Sequence, residues 1–146
     1  MKVGVYSIFV YLHVFSAILS IGPLFVLMPI IRRLRKANPD AESAYLSIIR
    51  AIIRMVMHAG HMLVFTGTVL LIIGPWLWYT SWVVMTLAIM LLSAVFLAKG
   101  FTNVLKNFHQ AADKHQVLSR LMTTSWMYIG LLLIMLWLMV QKPVIW

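Results

Sequence analysis

Three histidines lie inside strongly apolar runs of the chain. His13 falls in the first run, and His58 and His61 fall in the second. An imidazole ring in hydrocarbon is costly unless it finds a partner, so ionisable residues at membrane depth are candidates for function. Since His58 and His61 are three residues apart, they share one face of a helix. These rings could ligate a metal or hydrogen-bond to a neighbouring helix.

The depth of each histidine indicates which two could meet. At 1.5 Å per residue, His13 lies roughly 12 Å below the outer edge of its run, His61 roughly 18 Å and His58 roughly 22 Å. His13 and His61 are therefore the pair expected to face each other across a flat cofactor. Arg54, one turn below His58, and Lys99, at the inner end of the third run, could pair with a carboxylate of that ligand. The competing interpretation makes both of them anchors at the membrane edge.

The composition of the chain indicates what kind of protein carries these residues. The chain has 146 residues, 63% of them hydrophobic, 10% charged and none of them cysteine. A soluble domain would need more polar surface, and the absence of cysteine excludes disulfides and thiolate chemistry. The acidic residues Asp40, Glu42 and Asp113 all lie outside the apolar runs. Proton- or cation-coupled transporters usually need a carboxylate at membrane depth, so that class is disfavoured.

Four apolar runs predict an all-α protein, a single domain over 1–146 that forms a transmembrane four-helix bundle. The spans are expected at about 4–31, 55–74, 81–98 and 121–140, each near the roughly 20 residues that cross a bilayer. The first run is too long for the h-region of a signal peptide, roughly 7–15 residues. Asp40 is the expected N-cap of the second helix, and residues 41–54 should extend that helix beyond the lipid. Gly74 and Pro75 should end it.

The basic residues predict the orientation. Ten of the twelve Lys and Arg residues lie in the two longer connections, and only Lys2 and Lys142 lie at the other side. The positive-inside rule places both connections in the cytoplasm and both termini on the non-cytoplasmic side. The net charge of +9 is thus explained by loops beside anionic lipid, so the bilayer, and not nucleic acid, is the expected partner.

Short motifs around the histidines resemble known membrane proteins. The stretches 12–18 and 22–25 combine a Leu-His pair, small residues, Gly and an aromatic, and 58–61 continues to Thr66 and Gly67. This pattern resembles an uncharacterised family of four-helix bacterial integral membrane proteins. It is remotely similar to copper-resistance protein D and to the HemJ-type protoporphyrinogen oxidases. The resemblance implies a multi-pass protein of the bacterial cytoplasmic membrane. The Trp-Leu-His-x-Lys segment of the oxidases does not occur here, which argues against porphyrinogen oxidation.

In the HemJ-type relatives a b-type haem lies within the bundle. Carried over to this chain, the resemblance implies haem b held by His13 and a second-helix histidine, and the depths favour His61. The leading interpretation is a haem protein of electron transfer or redox chemistry, with a quinone or another redox partner. One alternative is a non-catalytic membrane subunit or assembly factor with structural histidines. Another is a copper-handling permease that uses histidines and methionines such as Met57 and Met62. Whether the protein is an enzyme, and whether it forms oligomers, stays open.

Overall fold

Four long helices make up the bundle, and the computed structural model describes residues 2–145, apart from the side chains of Lys2, Val3 and His109. The helices are α1 (Lys2–Leu34), α2 (Pro39–Ile73), α3 (Ser81–Lys106) and α4 (Lys114–Gln141), with a 3-10 turn at Phe108–Gln110. All four are long and apolar enough to cross a membrane. Large apolar side chains cover the outside of the bundle, as a lipid-facing surface requires. The predicted all-α, four-helix transmembrane fold is confirmed.

The bundle consists of two helical hairpins. Helix α1 packs extensively against α2, and α3 packs against α4, whereas α2 and α3 contact each other over only a short length. The buried core is largest in the half of the bundle next to the two basic connections, around Leu27, Ile31, Ile49, Phe101 and Leu121. A crevice therefore remains between the two hairpins in the other half of the bundle.

Helix α2 is continuous from Pro39 to Ile73, so the predicted extension through residues 41–54 is confirmed. Its apolar face is buried at Leu46, Ile49 and Ile53. The expectation that Asp40 caps this helix is wrong, because Asn38 occupies the N-cap position. Pro39 takes the first helical position, where its missing N–H costs nothing and its fixed φ favours the helix. Asp40 lies instead in the first turn, where its charge suits the helix dipole.

Helix α3 extends to Lys106, beyond the expected end of the third span near residue 98. The charged Lys99 is exposed, while Phe101 and Leu105 are buried on the opposite side of the helix. The apolar face thus continues past the first charge, which explains the longer helix. At the same end of the bundle, Lys114 forms an ion pair with Glu42 at 2.7 Å between Nζ and Oε1, which links the start of α4 to the start of α2.

We expect a reporter fused after Trp146 to behave as exported. The structure brings the end of α4 to the connection between α2 and α3, since the Ser81 hydroxyl donates to the Pro143 carbonyl at 2.9 Å. The basic connections meet at the opposite end, and positive charge is retained in the cytoplasm. An enzyme reporter that is active only outside the cytoplasm measures this directly. Cytoplasmic activity of the fusion would reverse the orientation.

Gly100 should be needed for the close contact between α3 and α4. A Cβ at this position would lie 2.8 Å from Cγ2 of Thr124. We expect Gly100→Ala to destabilise the bundle by about 1–3 kcal/mol, the usual cost of overpacking, and Thr124→Ser to restore much of the loss by removing that methyl group. Thermal unfolding in detergent measures both. The control is Gly130→Ala, whose Cβ would meet nothing within 4 Å; equal losses in the two variants would contradict the account.

Candidate functional site

His13 is held by helix α2. Its Nδ1 lies 2.9 Å from the Thr66 hydroxyl oxygen. The single hydroxyl proton of Thr66 is already used, since Oγ1 donates to the Met62 carbonyl at 2.7 Å. With Thr66 as the acceptor for His13, Nδ1 carries the proton and Nε2 keeps its lone pair. The contact holds the ring against α2.

Gly67 lets the imidazole come this close to α2. A Cβ on Gly67 would lie 3.0 Å from Cε1 of His13 and 3.5 Å from its Nδ1. Real Cβ contacts are rarely that short, so a larger residue would force the ring to move. Thr66 and Gly67 together form a seat for His13, one supplying the hydrogen bond and the other the space.

His13 lines a cavity of about 250 Å³ in the outer half of the crevice. Its walls combine aliphatic side chains with aromatic and sulfur-containing ones, the latter including Trp76, Trp82, Met90, Met135 and Met139. Lys142 stands at its outer rim, with Nζ 4.2 Å from the ring centroid of Trp76. The cavity therefore combines one imidazole with a free lone pair, several thioethers and one cation.

A second cavity of about 120 Å³ adjoins the first one. The two share the side chains of Leu63, Met90 and Met135 as walls. Residues of all four helices line the smaller cavity, and its polar members are Ser20, His61, Ser93 and Tyr128. Moving the shared walls would join the two cavities along the crevice.

The second-helix histidines lie closer than His13 to the end of the bundle that carries the basic connections. Because His13 is level with Thr66, His61 lies about 7.5 Å further inward along α2, near the offset expected from the sequence. His61 lines the smaller cavity and His13 the larger one. His58 lines neither, and its ring centroid is 6.4 Å from that of His61. The structure thus brings His13 and His61 to adjoining cavities, although the ring of His61, like that of His58, is largely exposed on the outside of the helix.

Arg54 and Lys99 are both exposed and line neither cavity. The cation that the crevice does contain is Lys142, which the sequence pattern treats only as an outer charge. Thr66 and Gly67 belong to the motif that carries the family resemblance, but nothing in the sequence pairs them with His13. Among the described residues, no group of three or more His, Cys, Asp or Glu side chains could hold a metal ion.

An open basic cleft lies where α1 ends and α2 begins. It has a volume of about 720 Å³ and is lined by Arg32, Arg33, Arg35 and Lys36, with Tyr45. This composition suits a surface beside anionic lipid headgroups, and none of the histidines lines it.

Comparison with known proteins gives one match. Residues 7–143 match the model of a family described as predicted integral membrane protein (DUF2269). No curated protein and no solved structure matches the chain. The predicted membership of an uncharacterised membrane family is confirmed, whereas the remote resemblance to copper-resistance protein D and the HemJ-type oxidases stays a prediction.

Proposed function

Because the chain belongs to the DUF2269 family of predicted integral membrane proteins, we propose from the geometry of its site that it is a membrane-embedded b-type haem protein of electron transfer. The observation that carries the proposal is the hydrogen bond of His13. Its Nδ1–H is tied to Thr66, and ligating histidines characteristically donate their other ring N–H in this way. With Nδ1 engaged by Thr66, Nε2 is the ring nitrogen that would bind an iron.

The size of the crevice sets a condition on this proposal. The larger cavity, at about 250 Å³, is below the roughly 300–1,000 Å³ of typical ligand sites. A porphyrin needs both cavities, so Met90 and Met135 must move aside. Methionine side chains are unbranched and flexible, and α2 and α3 contact each other little. The imidazoles of His13 and His61 therefore suit a haem iron. The combined volume of the two cavities suits a porphyrin only when the two hairpins move apart.

His13 and His61 are the proposed axial ligands, one from each of the adjoining cavities. Lys142, at the outer rim, can pair with a propionate carboxylate. Arg54 and Lys99 stay proposed partners of a carboxylate on the inner side. When bound, haem supplies one-electron chemistry. The residues of the chain fix its orientation and exclude water, and the proposed electron partner is a quinone in the lipid of the bacterial cytoplasmic membrane.

A copper-handling function is the second candidate, and the methionines favour it. Met90, Met135 and Met139 share the larger cavity with His13, while Met57 lies with His61 in the smaller one. Thioether and imidazole ligands suit copper(I). Met62, the other methionine singled out in the sequence, is 45% exposed and lines neither cavity.

Titration of the purified protein with haem, and separately with copper(I), distinguishes these functions. The proposal expects saturation at one haem per chain and no stoichiometric copper. Stoichiometric copper(I) with no spectral response to haem would replace it by the copper-handling function. A protein that binds neither would be the non-catalytic subunit or assembly factor, in which the bond from His13 to Thr66 is simply structural.

A further inference from the structure

Two buried hydroxyl groups in the smaller cavity have no hydrogen-bond partner among the described residues. They belong to Ser20 on α1 and Ser93 on α3, whose side chains are 0% and 4% exposed. Both line the cavity of about 120 Å³. A buried hydroxyl without a partner is costly, and more so inside a bilayer, where no lipid group can replace the missing bond.

The other buried serine and threonine hydroxyls of the described residues are satisfied. Serine and threonine within helices often donate to the backbone carbonyl four residues earlier. Ser16, Thr66, Thr86 and Ser125 all do so, and Ser81 donates to Pro143. Ser20 and Ser93 depart from this pattern, and both line the smaller cavity.

Two more polar groups face the same space. Tyr128, which is buried on α4, interacts with the Ser20 hydroxyl, but not at the geometry of an ordinary hydrogen bond. His61 lines the cavity from α2. Counting from the outer helix ends, Ser93 lies roughly 18 Å deep and Tyr128 roughly 20 Å deep. All four helices thus contribute one polar side chain near the middle of the membrane.

We propose that the smaller cavity is a hydrated site, in which water molecules bridge Ser20, Ser93, Tyr128 and His61. Water is the ligand that matches this chemistry, since each hydroxyl needs a partner that both donates and accepts. A buried water usually makes two to four hydrogen bonds and needs a space of roughly 10–15 Å³, which this cavity exceeds. The inference concerns the protein without haem, since a bound porphyrin would occupy this cavity.

The chain contains no cysteine, so a single introduced thiol can report on water inside the bundle. Ser20→Cys and Ser93→Cys are nearly isosteric and place an S–H group on the cavity wall. The matched control is Ser125→Cys, because Ser125 is 0% exposed, donates to Leu121 and lines neither cavity. The infrared S–H stretching band is followed after transfer of the purified protein into D₂O.

The proposal expects the S–H bands of Ser20→Cys and Ser93→Cys to exchange at least tenfold faster than that of Ser125→Cys. Equal, slow exchange in all three variants would overturn it, because the cavity would then be dry. Equal, fast exchange in all three would also overturn it, since the whole bundle would be opening. Unchanged helix content, measured by circular dichroism, establishes that each variant is folded.

Discussion

His13→Ala is expected to abolish the Soret absorption of the protein. The substitution removes the one imidazole that lines the larger cavity. Loss of a hydrogen-bond partner of a ligand typically costs about 10–100-fold in affinity, and loss of the ligand itself should cost more. The fold should survive, because the Thr66 hydroxyl keeps its bond to the Met62 carbonyl at 2.7 Å. Absorption spectra of wild type and variant, purified with haem supplied in excess, measure the effect.

The two histidines of α2 provide the matched comparison. His61→Ala should remove the low-spin spectrum as His13→Ala does, while His58→Ala should leave it intact, since His58 lines neither cavity. If His58→Ala removes the spectrum and His61→Ala does not, the pairing is wrong by one helical turn, roughly 5 Å. The haem would then lie nearer the cytoplasm.

Gly67→Leu should cause the second largest loss of haem binding, although Gly67 itself provides no ligand atom. Even a Cβ at this position would lie 3.0 Å from Cε1 of His13, so a leucine must push the imidazole off its seat. We expect near-complete loss of haem binding in Gly67→Leu and a smaller loss in Gly67→Ala, in which the ring needs to shift by only a few tenths of an ångström. Haem titration monitored by absorbance measures both.

Gly22→Ala and Gly130→Ala are the controls for this series, because a Cβ at either glycine would meet nothing within 4 Å. Alanine is the better helix former by about 1 kcal/mol, so these variants should bind haem normally and unfold no earlier. A Gly67→Leu protein that binds haem like the wild type would contradict the role given to the seat of His13.

The four spans could be predicted because a helix that crosses a bilayer must be about 20 residues long and apolar, and hydropathy along the sequence shows both properties. His13 also stood out, as a polar ring in an apolar run. Its partner Thr66 could not be found that way, since the register between α1 and α2 is set by tertiary packing. The far end of α3 was missed for a related reason: Lys99 suggested an interface, while Phe101 and Leu105 keep one face of the helix buried.

The polar groups of the crevice could not be assigned from the sequence either. Ser20 and Ser93 are single small residues in apolar helices, where serine is often only a contact residue for close packing. Only the three-dimensional structure shows that both face one cavity together with Tyr128 and His61. Lys142 likewise gains its position at the rim from the contact with Trp76, 66 residues earlier in the chain.

The central claim is that His13 and His61 hold a haem b between the two hairpins. The most direct measurement is the absorption spectrum of the wild-type protein, purified after expression with ample haem and recorded in the oxidised and the reduced state. The account predicts a Soret band that shifts on reduction, with the sharp bands of a low-spin, six-coordinate b-type haem. A colourless protein with no Soret absorption in either state would contradict it.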